Sequence, residues 1–412
     1  MVTGYSSGFA FSDGQIEYVA PSGSGQGTWL APEANTQIRA RDSYTWANLA
    51  VRVITNTLTN ACAIVSRVGG GDGNMSISVG AGLTGLFRDV VNSDALVSGN
   101  LFDIEIDPPA GGTSIIITAF ATTLTTVANT TPIIIGSFPP ANVMYAPGAT
   151  TYFAIVGELR GDGTEAHTQY TCRVASTLSK LHTYVDTNTL NVIATIRPRI
   201  GGADVNSVCS IPVATSGLFE DGVNTDAIAI GNLICHELEL PAGAGGIYVS
   251  FMSFQSDSTG EWIGEASGQE AILNDGDVRY WVIDGKISSF SAAEAATQMP
   301  VQANGTARNM LLRIPSNTLN DSSVWRHRVN GGDGNLVITV AGWATGTFED
   351  LVNSDALITT DSWNWEVDAT APGSGSVKPQ IIALQFDQAA APTGIEDKSA
   401  AMGNKMVGIG LI

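Results

Sequence analysis

GTFEDLVNSDAL, residues 346–357, decides how the chain is read, because the phrase occurs three times. GLFRDVVNSDAL stands at 85–96 and GLFEDGVNTDAI at 217–228. Its anchors Phe87, Phe219 and Phe348 are 132 and 129 residues apart. The same two offsets relate Asn56, Asn188 and Asn317, each opening Asn-Thr-Leu, then Asp94, Asp226 and Asp355, and then Glu105, Glu237 and Glu366. A period of this size exceeds the repeat of a solenoid, about 20–45 residues, and matches a whole small domain. The chain of 412 residues is therefore expected to fold as three tandem domains over 1–128, 129–258 and 259–388, with a tail at 389–412 that adds an edge strand or a docking arm.

Comparing the copies separates core positions from outward ones. Ile64, Ile196 and Trp325 share one slot, and Val68, Ile200 and Val329 another, while Arg67, Arg199 and Arg328 face the other way. Alternation of this kind marks a half-buried strand. Ile77, Cys209 and Ile338 head a second strand; Phe102, Ile234 and Trp363 head a third, with Glu105, Glu237 and Glu366 on its opposite face. Further strands are expected at SIIITAF, GIYVSFMSF and PQIIALQF. GGGDGN, GGADVN and NGGDGN join the first two strands as hairpin turns, since Gly and Asx residues tolerate positive φ. Upstream the spacing changes: Trp29 precedes Asn56 by 27 residues, Phe153 precedes Asn188 by 35 and Trp281 precedes Asn317 by 36. Copies two and three thus carry longer loops, ELRGDGTEAHTQ and KISSFSAAEAATQ, and the first half of each copy is expected to vary.

Charged residues make up 14% of the chain, a composition poor in helix-forming mixtures, so an all-β fold is expected. The net charge of -20 disfavours nucleic acid and anionic membranes as partners. Met1 is followed by VTGYSSGFAFSDGQ, without the basic start and apolar run of a secretory signal, so synthesis and folding in the cytosol are expected. Cys62, Cys172, Cys209 and Cys235 fall in slots that do not recur, which argues against a disulfide framework, and Cys209 reads as a small buried hydrophobe.

The repeated phrase reads as architecture. Phe87, Phe219 and Phe348 are apolar anchors; Asn92, Asn224 and Asn353 form the turn; Asp94, Asp226 and Asp355 bond neighbouring amides. Calcium is the alternative, because Asp89, Asp94, Asp221, Asp226, Asp350 and Asp355 supply hard oxygen ligands, although the spacing lacks the ligand set of a known calcium loop. Asp72, Asp204 and Asp333 read as hairpin residues before metal ligands. Arg67 with Glu105, Arg199 with Glu237 and Arg328 with Glu366 are expected as cross-strand pairs on an exposed sheet or as contacts between copies. His167, His182, His236 and His327 occupy four different slots; His236 replaces Ile104 and Trp365 and reads as a satisfied core histidine. Arg160, Gly161 and Asp162 spell the integrin-ligand tripeptide and read as a turn tip. Neither a catalytic group nor a cofactor is expected.

VNGGDGNLVITVAGWATGTFEDLVNSDAL, residues 329–357, resembles the second half of the small trimeric jelly-roll domains related to tumour necrosis factor that occur in spore-surface and phage structural proteins. The resemblance covers about half of each copy, on the shared strand, turn and T-G-x-F-x-D-x-x-N phrase; GGADVNSVCS in copy two departs from it and puts that hairpin in question. It implies three jelly-roll β-sandwiches arranged as a single-chain pseudo-trimer. On that basis the chain is expected to be a structural virion protein of a tailed phage, a decoration (cement) protein bound to the major capsid protein, other virion proteins or further copies of itself. The alternative is a head or tail fibre, or a glycan-binding adhesion module using tryptophans such as Trp29, Trp46, Trp262 and Trp281.

Overall fold

A computed structural model describes residues 2–5, 9–21, 33–126, 133–138, 143–155, 157–158, 161–257, 261–266, 272–283, 291–369 and 373–389. The tail at 390–412, Trp29 and Arg160 lie outside the described residues, as does the side chain of Trp262. The principal strands of the first copy follow in chain order as Phe9–Ser12, Glu17–Val19, Tyr44–Asn56, Cys62–Val68, Gly71–Val79, Gly85–Leu96, Leu101–Asp107 and Ser114–Thr126. One sheet places the eighth strand between the first and third, with the sixth outside the third; the other places the seventh between the second and fourth, with the fifth outside the fourth. This is the order of an eight-stranded double-sheet jelly roll.

The order recurs twice. In copy two, Ile247–Ser256 lies between Ile133–Phe138 and Ser176–Asn188, and Leu233–Leu240 between Ala149–Phe153 and Ala194–Ile200. In copy three, Ile381–Gln388 lies between Glu261–Ala266 and Gly305–Ile314, and Ser362–Asp368 between Val278–Trp281 and Ser323–Val329. The chain is all-β, three jelly rolls in tandem.

Local chemistry fixes each sandwich in the same way. The two-residue hairpin turns are Gly69-Gly70, Gly201-Gly202 and Asn330-Gly331, all with positive φ, which matches the right-handed twist of the strands they join. Asn56, Asn188 and Asn317 each donate two side-chain bonds across a loop, to the carbonyls of Gly80 and Leu83, Pro212 and Thr215, or Ala341 and Ala344. Their Oδ1 atoms accept from Leu58, Leu190 and Leu319. A bulge at Asn48, Lys180 and Asn309 shifts the register of the third strand against the sixth, with φ of 60°, 53° and 55°.

Copy two differs at its fifth strand. Gly71–Val79 and Gly332–Val340 are continuous, whereas the corresponding stretch of copy two breaks into Ala203–Asp204 and Cys209–Ile211. A side chain at Gly73 would meet Asp94 Oδ2 at 2.6 Å, and one at Gly334 would meet Asp355 Oδ2 at 2.6 Å. Val205 occupies that slot in copy two, so the ladder opens there.

The buried cores join across copies. One cluster runs from Tyr44 and Phe120 of copy one through Leu178 and Phe251 of copy two to Leu311 and Ile381 of copy three. A second places Ala50, Ala119 and Ala121 of copy one with Leu312, Ile382 and Leu384 of copy three. Ala50, His182 and Leu311 share one slot of the third strand, and all three are buried, so the three jelly rolls pack with different side chains in equivalent places.

Candidate functional site

The carboxylates of the repeated phrase point inward onto the chain's own amides. Asp89 accepts from the backbone N–H of Ser76, Val91 and Asn92 and from Asn92 Nδ2. Asp221 and Asp350 repeat the set with Val208, Val223 and Asn224, and with Val337, Val352 and Asn353. Burial opposes ionisation of all three, and these bonds together outweigh it, holding each carboxyl below its usual range. The next aspartate keeps one bond in every copy, from the amide of Asn74, Asn206 or Asn335, and differs in the rest. Asp94 accepts from Ser66 Oγ at 2.5 Å and Asn74 N at 2.6 Å. Asp226 accepts from Asn206 N and Ser207 N, because Pro198 stands where Ser66 does and has no donor. Asp355 meets the buried His327 ring at 2.7 Å and accepts from Asn335 N. Phe87, Phe219 and Phe348 are half-buried against the cores.

Arg67, Arg199 and Arg328 each centre a second repeated cluster, formed within one copy. Arg67 lies 3.1 Å from Glu33 and 3.2 Å from Glu105, and also bonds Asp72 and the Gly70 carbonyl. Arg199 does the same with Glu165, Glu237, Asp204 and Gly202, and Arg328 with Glu294, Glu366, Asp333 and Gly331. Tyr18 and Tyr152 lie beneath the first two guanidiniums, with Arg centres 5.8 and 5.9 Å from the ring centroids, and Tyr280 takes the same ladder position beside Glu366. Burial works against the charge on each arginine, but the surrounding carboxylates outweigh it and hold it above the ordinary arginine value.

Glu33, Glu165 and Glu294 are the members that the repeat comparison overlooks. They belong to E-A-x-T-Q at 33–37, 165–169 and 294–298, which carries the same two offsets, so the constant region begins well upstream of Asn-Thr-Leu and the first half is less variable than expected. Thr36 bonds the buried Asp103, and Thr297 bonds Asn364 in the matching slot. Burial pushes Asp103 up to about 8, with the Thr36 bond opposing.

A third set joins the copies. Arg41 of copy one bonds Glu220 of copy two at 2.9 Å, and its Nε donates to His182 Nδ1 at 3.2 Å. Lys180 Nζ donates to the Arg41 carbonyl. Arg173 of copy two pairs with Glu349 of copy three. Copies three and one meet where Arg52 donates to the Gln298 carbonyl and Arg88 to that of Thr359. Every copy thus touches both others.

The remaining candidate groups are withdrawn from solvent. His182, His236 and His327 are fully buried, and His167 bonds Asp162 at 3.0 Å. His236 is not the satisfied core histidine expected, because neither ring nitrogen has a hydrogen-bond partner; the ring packs against Phe254, and burial drives it down to about 3. All four cysteines are free and buried, and burial pushes Cys62, Cys172 and Cys209 up to about 12. Among the described residues no group of three or more His, Cys, Asp or Glu side chains is placed to hold a metal ion. No helix among them is long and apolar enough to cross a membrane.

Apolar side chains stand out at one place in every copy. Val91, Val223 and Val352, at the tip of the repeated phrase, are 88%, 89% and 92% exposed. Trp46 and Trp281 are buried, whereas Trp343 is 62% exposed.

No family model matches the chain, and no curated protein matches it. A solved structure described as "The Triple Jelly Roll Fold and Turret Assembly in an Archaeal Virus" is similar over 94% of this chain and 91% of that one, at 13% identity and a TM-score of 0.20. Likeness at that score carries no weight here, and the triple jelly roll rests on the strand order above.

Proposed function

We propose that the chain is a non-enzymatic structural protein of a virion, and within that class a decoration (cement) protein on the head of a tailed phage. The observation that carries this reading is the set of three mutually touching jelly rolls, each offering the same exposed valine tip. The polar groups that alternate between chemistry and architecture are engaged inside the fold: Asp89, Asp221 and Asp350 bond backbone amides, and the arginine clusters are closed by their own carboxylates. Three equivalent tips on one chain supply three-point attachment to the major capsid protein or another virion protein. A stable interface needs about 1,200–2,000 Å² of buried surface, so the loops beside the tips must join the contact. Mass spectrometry and electron cryomicroscopy of purified particles test the reading: the chain is expected on the outer face of the head, and its absence from particles would end the proposal. Val91→Ser, Val223→Ser and Val352→Ser combined are expected to abolish particle association while leaving the melting temperature within a few degrees, since exposed substitutions usually change stability by about 0.5 kcal/mol or less.

Trp343 supports glycan contact as a second reading, because among the described residues it is the one exposed tryptophan, held at a turn with φ of 64°. A glycan array in which Trp343→Ala abolishes every signal would favour it over capsid attachment.

A further inference from the structure

The junctions between copies carry a charge pattern that is not threefold. Arg41, Arg173 and Gln302 occupy one equivalent slot, and Arg88, Glu220 and Glu349 occupy another. Arg41 of copy one meets Glu220 of copy two, and Arg173 of copy two meets Glu349 of copy three. The third junction breaks the series: the donor slot holds a neutral Gln302 and the acceptor slot a cation, Arg88. Gln302 is buried, its Nε2 has no hydrogen-bond partner, and Arg88 turns to the Thr359 carbonyl.

We infer that these six residues form an ordering code that reserves the Arg88 edge of copy one for copy three: Arg41 and Arg173 are complementary to the acidic edges and not to Arg88, and only the neutral Gln302 can lie against it. The physical basis is the cost of a mismatch. The guanidinium slots are nearly withdrawn from solvent, with Arg41 and Arg173 side chains 8% and 11% exposed, so placing a second cation opposite either one leaves buried charge uncompensated. With its acidic side partly exposed such a pair adds little net stability, but a second cation against a guanidinium this withdrawn is unfavourable, so the pairs discriminate more than they bind. Copy one cannot pack on another copy one, because Arg41 would face Arg88. Copy two cannot precede copy one, because Arg173 would face Arg88. Only copy three, with Gln302, accepts the Arg88 edge without repulsion. Fused repeats with near-identical faces are prone to exchange between chains, and this pattern removes the exchanges that would set copy one or copy two against an Arg88 edge. His182 strengthens the first junction: its unprotonated Nδ1 accepts from Arg41 and orients the guanidinium toward Glu220.

Full-length variants test the code by size-exclusion chromatography with light scattering and by thermal melting. Glu220→Arg is expected to convert the wild-type size distribution to larger, exchanged species or to lower the melting temperature by more than 5 °C, and Arg41→Glu in the same chain is expected to restore at least half of the loss. Arg88→Glu leaves both existing pairs intact and makes copy one self-complementary. Co-expressed with a differently tagged copy of itself, that variant is expected to co-purify at least fivefold more than wild type does. The inference is overturned if the double variant melts no higher than Glu220→Arg alone, if Glu220→Arg matches wild type in both size and melting, or if Arg88→Glu fails to raise co-purification.

Discussion

Copies one and three, set against copy two, bury the same aspartate with and without a side-chain donor, while the amide of Asn74, Asn206 or Asn335 serves it in every copy. In the outer copies Gly73 and Gly334 clear a path for the carboxylate, Ser66 or His327 supplies a side-chain donor, and the fifth strand runs unbroken. In copy two Val205 stands in the glycine slot, Pro198 offers no donor and the fifth strand parts. Asp226 keeps the amide of Asn206, whose counterparts in both outer copies also donate, and that of Ser207, whose counterpart in copy three does, and has no side-chain donor from the strand of Pro198. The difference shows that the buried carboxylate is retained while the ladder around it is expendable. An unpaired buried charge costs several times what a few strand bonds contribute, so the chain gives up the bonds first.

The largest effect expected from breaking this comparison comes from removing the carboxylate. Asp355→Ala orphans His327 and the Asn335 amide and is expected to cost about 3–4 kcal/mol, whereas Asp226→Ala orphans backbone amides near an open ladder and should cost about 2. Urea denaturation measures both, and equal losses would mean that the donors do not matter. Next, Gly334→Val imports the copy-two residue into an intact strand and is expected to cost about 2–3 kcal/mol through overpacking, while Val205→Gly in copy two should change stability by about 1 kcal/mol or less.

Acid sharpens the contrast further. Burial lowers the pKa values of His182 and His236 below the ordinary histidine value, so the unfolded chain, titrating near pH 6.5, binds protons that the folded chain refuses. Stability is therefore held above about pH 6.5 and falls as the pH drops, by about 1.4 kcal/mol per pH unit for each histidine. His236→Ile, which installs the residue of Ile104, is expected to remove one of these two contributions between pH 6.5 and 5, read as a shallower slope in pH-dependent denaturation. The smallest effect belongs to Val352→Ser, which at 92% exposure should shift stability by about 0.5 kcal/mol or less.

The tandem division and the sheet content are legible in the sequence because burial alternates along residues 323–329 and the constant offsets carry Phe87, Asp94 and Glu105 into their sisters. The arginine clusters are half legible. Arg67 and Glu105 stand out, but Glu33 lies upstream of Asn-Thr-Leu at the same two offsets, outside a constant region taken to start at Asn56. The junction pairs leave no such trace: Arg41 and Glu220 sit in non-equivalent slots of different copies, and only packing brings them together. Nor does the polarity of His236 reveal its missing partners, since burial without a hydrogen bond is a property of the surroundings.

The four buried thiols bear on how the protein ages. Oxidation and disulfide exchange proceed through the thiolate, and groups pushed toward 12 and shielded from solvent supply almost none at neutral pH. A chain folded under reducing conditions is thus expected to acquire cross-links and sulfenic damage only slowly in air, a durability that would need neither a disulfide nor a reductant to maintain it.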